Sequence, residues 1–129
     1  MTTPFLLVLR SSGIEKSRAF YQAIGLQFVE EQHGHGPIHL ACETDTLVVE
    51  TYAGEDAPLL DAKQSGATMI GFNVESLDAV LSELRVLDLD VAPKSVPKVA
   101  PWGRWTNVVD PDGRVVQLNE TPQKELQDL

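Results

Sequence analysis

Cysteine is nearly missing from this chain. Cys42 stands alone, so no internal disulfide can form and no zinc site can be built from thiolates. Long apolar runs are missing too: Phe5-Leu6-Leu7-Val8-Leu9 is far short of the roughly 20 residues that cross a bilayer. No basic segment precedes that run, so a secretory leader is not expected and a cytoplasmic address is the default. Basic residues are scarce, with 10 Lys plus Arg against 19 Asp plus Glu and a net charge of −9. Such a surface repels phosphate backbones and anionic membranes, which sets nucleic acid and membrane aside as partners. It concentrates cationic small molecules, although acidity also serves plain solubility. The patterns G-x-x-x-x-G-K-[ST], G-x-G-x-x-G and G-x-S-x-G do not occur, so nucleotide, dinucleotide and serine-hydrolase chemistry have no support.

What is present is enough for one domain with a core: 129 residues, 43% hydrophobic and 22% charged. Pro4 to Ser11 reads as a buried strand. Ser12-Gly13-Ile14-Glu15 has the form of a capping box, with Ser12 as N-cap. Ile14, Ala19, Phe20, Tyr21 and Ile24 then recur at helical spacing up to Gly25, a natural stop. Three short strands are predicted next: Leu26 to Gln32, Pro37 to Glu43, and Thr46 to Tyr52. His33-Gly34-His35-Gly36 and Glu43-Thr44-Asp45 supply the turns between them. The stretch from Ala53 to Gly66 loses the pattern and suits a linker.

The order then starts again. Met69 to Val74 reads as a strand, and Ser76 caps a helix whose Leu77, Val80, Leu81 and Leu84 share one face. Leu89 to Ala92 opens another strand, and a loop carrying Pro93, Pro97 and Pro101 leads to a strand from Arg104 to Val109. Asp110-Pro111-Asp112-Gly113 suits a type I turn before a closing strand from Arg114 to Asn119. The last residues, TPQKELQDL, read as a surface tail. Sliding Leu6–Ser12 onto Ile70–Ser76 aligns the two halves element by element. The chain is a tandem duplication in pattern.

Three stretches carry a resemblance that spans Pro4 to Glu120. The segment from Ser12 to Tyr21 followed by Ile24-Gly25-Leu26 resembles the first strand-to-helix unit of the vicinal oxygen chelate superfamily. That superfamily contains glyoxalase I, bleomycin resistance proteins and extradiol dioxygenases. Asp110-Pro111-Asp112-Gly113 is similar to its final hairpin, and Pro101-Trp102-Gly103-Arg104 resembles the preceding stretch of bleomycin resistance proteins. The resemblance implies an α+β domain over residues 1–129, made of two tandem βαβββ modules whose curled mixed sheets form a shared cleft. Module one would cover about 4–53, the linker 54–66, module two 67–120 and the tail 121–129. It also implies a homodimer. Metal-dependent relatives place one ligand on the first and last strand of each module, positions that fall here on Leu6, Glu50, Met69 and Gln117. Only Glu50 is an ordinary ligand, whereas a divalent ion needs about three or more good N or O donors. The resemblance therefore points to the metal-free members, with no cofactor, and Leu6 and Met69 line the pocket where ligands once stood.

The remaining candidates follow from residue chemistry. Alternation puts Val48, Glu50 and Tyr52 on one face, where an acid and a ring suit a cationic ligand or general-base work; the plain alternative is a paired surface glutamate. Gln117 shares a face with Val115 and Asn119, and its amide both donates and accepts, as an ordinary strand-edge amide also does. Trp102 and Trp105, flanking Gly103 and Arg104, suit stacking on a planar ligand, a dimer contact, or simple space filling. Arg104 suits a ligand carboxylate or a nearby acid. His33 and His35 lie in a loose glycine-rich turn. His39, on a strand, could join Glu50 in a rearranged two-residue metal site, which ranks below the metal-free reading. Cys42 reads as a small buried hydrophobe. The function that emerges is metal-independent binding of a small, flat or cationic molecule, such as sequestration of an antibiotic or toxin, using Glu50, Tyr52, Trp102, Arg104, Trp105 and Gln117. The alternatives are a metal-dependent lyase or dioxygenase with atypical ligands and a pocketless interaction module.

Overall fold

A strand followed by a helix that must return its chain to the same sheet produces a parallel pair. Both halves of the protein begin that way. The computed structural model describes residues 1–54, 68–87 and 96–121, which fall into two units, Met1–Leu59 and Leu60–Leu129. The expected strand Leu89 to Ala92 lies outside the described residues, as do nearly all of the expected linker and tail.

In module one, β1 (Leu6–Ser11), α1 (Ile14–Ile24), β2 (Val29–Glu31), β3 (His39–Glu43) and β4 (Val48–Ala53) form a four-stranded sheet ordered β1-β4-β3-β2. β1 runs parallel to β4, with Val8 beside Glu50 and Arg10 beside Tyr52; the other pairs are antiparallel. Leu9, Leu40, Val49 and Thr51 of the sheet are buried together with Phe20, Tyr21 and Ile24 of α1. Phe20 and Tyr21 pack edge to face at 4.9 Å, and Tyr21 meets Phe28 likewise at 6.4 Å. Cys42 is buried among them, a small hydrophobe as expected. Gly25, at φ 120°, ends α1 with its N–H shared between the Tyr21 and Gln22 carbonyls.

The capping box is a correction. The N-cap is Gly13, with no side-chain cap, because β1 continues through Ser11 and the Ser11 hydroxyl takes the Gly13 N–H at 3.2 Å. The corner closes one residue later than Ser12, and Glu15 faces Arg18 at 3.8 Å instead.

Module two repeats the order: β5 (Ile70–Val74), α2 (Leu77–Val86), β6 (Lys98–Ala100), β7 (Gly103–Val109) and β8 (Val115–Glu120), in a sheet ordered β5-β8-β7-β6. Here the cap holds. Ser76 Oγ accepts the Ala79 N–H at 3.2 Å, and Glu120 Oε2, from the far end of the module, accepts the Leu77 N–H at 2.9 Å. Leu77, Val80, Leu81 and Leu84 are buried, as are Thr106, Val108, Val116 and Leu118 on the sheet. β6 escapes a reading from sequence because Pro97 and Pro101 flank it. As the outermost strand it tolerates missing N–H groups, since prolines are confined to such edges. In the expected turn, Gly113 N–H bonds to the Asp110 carbonyl at 3.0 Å.

Candidate functional site

Each sheet has one face covered by its helix and one face turned away from it. In module two the register sets Gly71 beside Gln117, Asn73 beside Asn119, and Asn107 and Trp105 across from that pair. Side chains alternate along strands, so these residues share the face away from α2. Gly71, Phe72, Asn73, Trp102, Gln117 and Asn119 line a pocket of ≈ 290 Å³ there. Trp102 is 57% exposed, an unusual state for the largest side chain. Asn119 fixes the pocket rim, because its amide donates to Asn73 Oδ1 at 3.1 Å and to the Trp102 carbonyl at 3.3 Å. The lining is one indole, one phenylalanine and three primary amides over a glycine floor, without a charged side chain. Such a surface stacks a flat molecule and hydrogen-bonds its edges.

Module one presents a different chemistry on the corresponding face. Glu31 pairs with His39 across β2 and β3, and Glu50 lies beside Ala41 on β4. His39 is only 1% exposed. Its ring stacks on Tyr52 at 4.4 Å and 13°, and its Nδ1 lies 3.2 Å from the Pro37 carbonyl. His39 Nε2 stands 2.7 Å from Glu50 Oε2 and 3.6 Å from Glu31 Oε1, and His33 Nε2 is 3.2 Å from that same Glu31 oxygen. The Tyr52 phenol is pushed above its usual pKa, first by burial, then by the charge of Glu50 and a hydrogen bond with it, and further by Glu31.

The residues singled out from the sequence thus fall into separate places. Trp102 and Gln117 meet at one pocket. Trp105 shares their face by register but sits under Lys98 Nζ, 5.6 Å from its ring, and does not line that pocket. Arg104 pairs with acids, the second of the two roles its chemistry offered. It alternates to the helix side of β7, where its guanidinium reaches Asp78 at 3.0 Å and Glu120 at 3.9 Å, so it serves the α2 terminus rather than the pocket. Glu50 and Tyr52 belong to the module-one cluster. Leu6 and Met69 are 41% and 47% exposed, yet the register puts Val8 beside Glu50 and Gly71 beside Gln117. Val8 and Gly71 lie two residues beyond Leu6 and Met69, one repeat of the side-chain alternation. Asn73 and Glu31 were not legible as site residues, because only strand pairing brings them to Asn119 and His39.

Two open four-stranded sheets, each with one helix and one parallel strand pair, define the βαβββ tandem architecture. Solved structures described as a bleomycin resistance determinant and a glyoxylase/bleomycin resistance protein/dioxygenase domain share this fold. Among solved structures, an antibiotic binding protein, TnmS3 from Streptomyces sp. CB03234, matches at a TM-score of 0.66 and 23% identity, covering 95% of this chain and 98% of that one. The bleomycin resistance determinant encoded on transposon Tn5 matches at 0.59 and 20% identity over 93% and 98%. A glyoxylase/bleomycin resistance protein/dioxygenase domain from Frankia sp. EAN1pec matches at 0.65 and 20% identity over 95% and 99%. No family model and no curated protein matches the sequence. Among the described residues, no helix is long and apolar enough to cross a membrane.

Proposed function

We propose that the protein binds and sequesters a small planar molecule on the amide-lined face of module two, without a metal at that pocket; a structure of the same fold is described as an antibiotic binding protein. The observation that carries this reading is the pocket of ≈ 290 Å³ in which an exposed Trp102 stands beside Gln117 and Asn119. None of its lining side chains is a carboxylate or imidazole, so stacking and neutral hydrogen bonds supply the recognition. The net charge of −9 biases the choice toward neutral or cationic compounds by long-range attraction rather than by contact.

A panel of flat aromatic compounds, neutral and cationic, titrated against tryptophan fluorescence tests it. At least one is expected to give saturable quenching that Trp102→Ala weakens by about 10-fold or more, in line with the ~1–3 kcal/mol of a lost stacking partner. Gln117→Ala is expected to weaken it less. A full panel without a saturable response counts against the proposal. The reading extends to a homodimer, for which the exposed Leu6, Val8 and Val29 of module one supply apolar surface. Light scattering is expected to give twice the 14.1 kDa chain mass; a mass of one chain removes that part.

A further inference from the structure

We propose that module one holds a divalent transition-metal ion of the Zn²⁺ class between Glu31, His33, His39 and Glu50, a site separate from the module-two pocket. β2, the following turn, β3 and β4 each contribute one residue, and one ligand atom from each lies within 4.8 Å of the others. Donors held about 2.1 Å from a common ion stand roughly 3.0–3.4 Å apart when adjacent and about 4.2 Å when opposite. Three of the separations, at 2.7, 3.2 and 3.6 Å, bracket the adjacent range, and the wider pairs, within 4.8 Å, close on an ion by side-chain rotation.

His39 is what distinguishes this cluster from a patch of surface acids. A carbonyl oxygen can only accept, so the Nδ1 facing the Pro37 carbonyl carries the proton. Nε2 then directs a lone pair at two carboxylates, which is repulsive unless a positive charge lies between them. A second ring proton would serve if it pointed along the 2.7 Å approach to Glu50. That approach is out of line, however, and the buried Nε2 has no hydrogen-bond partner. A cation set off the N···O line satisfies all three groups together. The Pro37 carbonyl on the other ring nitrogen and the stacked Tyr52 ring are the outer supports that orient a ligating imidazole. Two imidazoles favour borderline ions over Mg²⁺ or Ca²⁺, which prefer oxygen alone. The donors all come from one module, three of them from its β2–β3 hairpin and Glu50 from β4. Only Glu50 is shared with the first-and-last-strand positions that the resemblance implied; β1 and module two contribute none of the donors.

The test uses tag-free protein stripped with chelator and dialysed, titrated with Zn²⁺ by calorimetry and with Co²⁺ by visible absorption. One ion per chain is expected, at micromolar dissociation constant or below, with a Co²⁺ ligand-field band. His39→Ala and Glu50→Gln are each expected to lower affinity by more than the roughly 10–100-fold that loss of an outer-shell partner costs. His35→Ala, in the same turn but outside the cluster, is expected to leave affinity unchanged. Glu50→Gln keeps the side-chain volume, so it decides the matter even where His39→Ala does not fold. Absence of a stoichiometric ion, full affinity in Glu50→Gln, or an equal loss in His35→Ala overturns the site.

Discussion

Gly103→Ala is expected to destabilise the protein by more than about 4 kcal/mol, at the upper end of single-residue effects. Gly103 opens β7 at φ 138°, a region that L side chains avoid. An added Cβ would collide with the Glu120 carbonyl oxygen and approach Asn119 Oδ1 at 3.1 Å. The backbone has little room to yield, because Gly103 pairs with Ala100 on one side while its neighbour Arg104 pairs with Glu120 on the other. Strain and collision add. Gly34→Ala separates the two, since Gly34 at φ 58° has open space where its Cβ would go. It should cost only the ~1–2 kcal/mol of a left-handed alanine. Denaturant unfolding of both variants checks the difference; similar small losses would mean that β7 and β8 do not approach this closely. The same close approach holds the Trp102 carbonyl on Asn119, so the pocket rim depends on a residue that touches no ligand.

Asp110→Ala is expected to cost about 3 kcal/mol and roughly 10–15 °C in melting temperature. Asp110 is 3% exposed. Its Oδ1 accepts the N–H groups of Asp112 and Arg114, each at 2.9 Å, and its Oδ2 meets the Arg114 guanidinium at 3.1 Å. Alanine leaves two turn N–H groups and a largely buried cation without this acceptor. Asp110→Asn keeps the Oδ1 acceptor and loses the charge, so it should fall between alanine and the parent chain. Thermal unfolding followed by circular dichroism orders the three; equal stability of the alanine variant and the parent would show that the turn holds without this side chain.

Much of the architecture was legible because it rests on period and punctuation. Leu77, Val80, Leu81 and Leu84 mark one helical face, Gly25 and Ser76 mark ends, and Asp110-Pro111-Asp112-Gly113 marks a hairpin; local physics decides all of these. The capping serine of α1 failed because Ser11 and Ser12 compete for one corner, a choice settled by how far β1 extends. β6 was hidden by its prolines. The site was half legible. Parity gave the shared face of Glu50 with Tyr52 and of Gln117 with Asn119. Parity within one strand, however, says nothing about which strand lies alongside. Pairing of β2 with β3 brings Glu31 to His39, and pairing of β5 with β8 brings Asn73 to Asn119. Arg104 shows the converse: it lies between Trp102 and Trp105 in sequence, yet it turns to the helix side of β7, where α2 offers it Asp78.

The claim that ligand recognition sits on neutral side chains of module two is tested most directly by one titration performed twice. Binding of a flat compound is followed through indole emission before and after exhaustive treatment with chelator. Identical saturation curves in both states, shifted together to about 10-fold or more weaker binding in Trp102→Ala as read through the remaining Trp105, are the expected result. A curve that vanishes with the chelator, or that survives unaltered without the Trp102 ring, would place recognition elsewhere and contradict it.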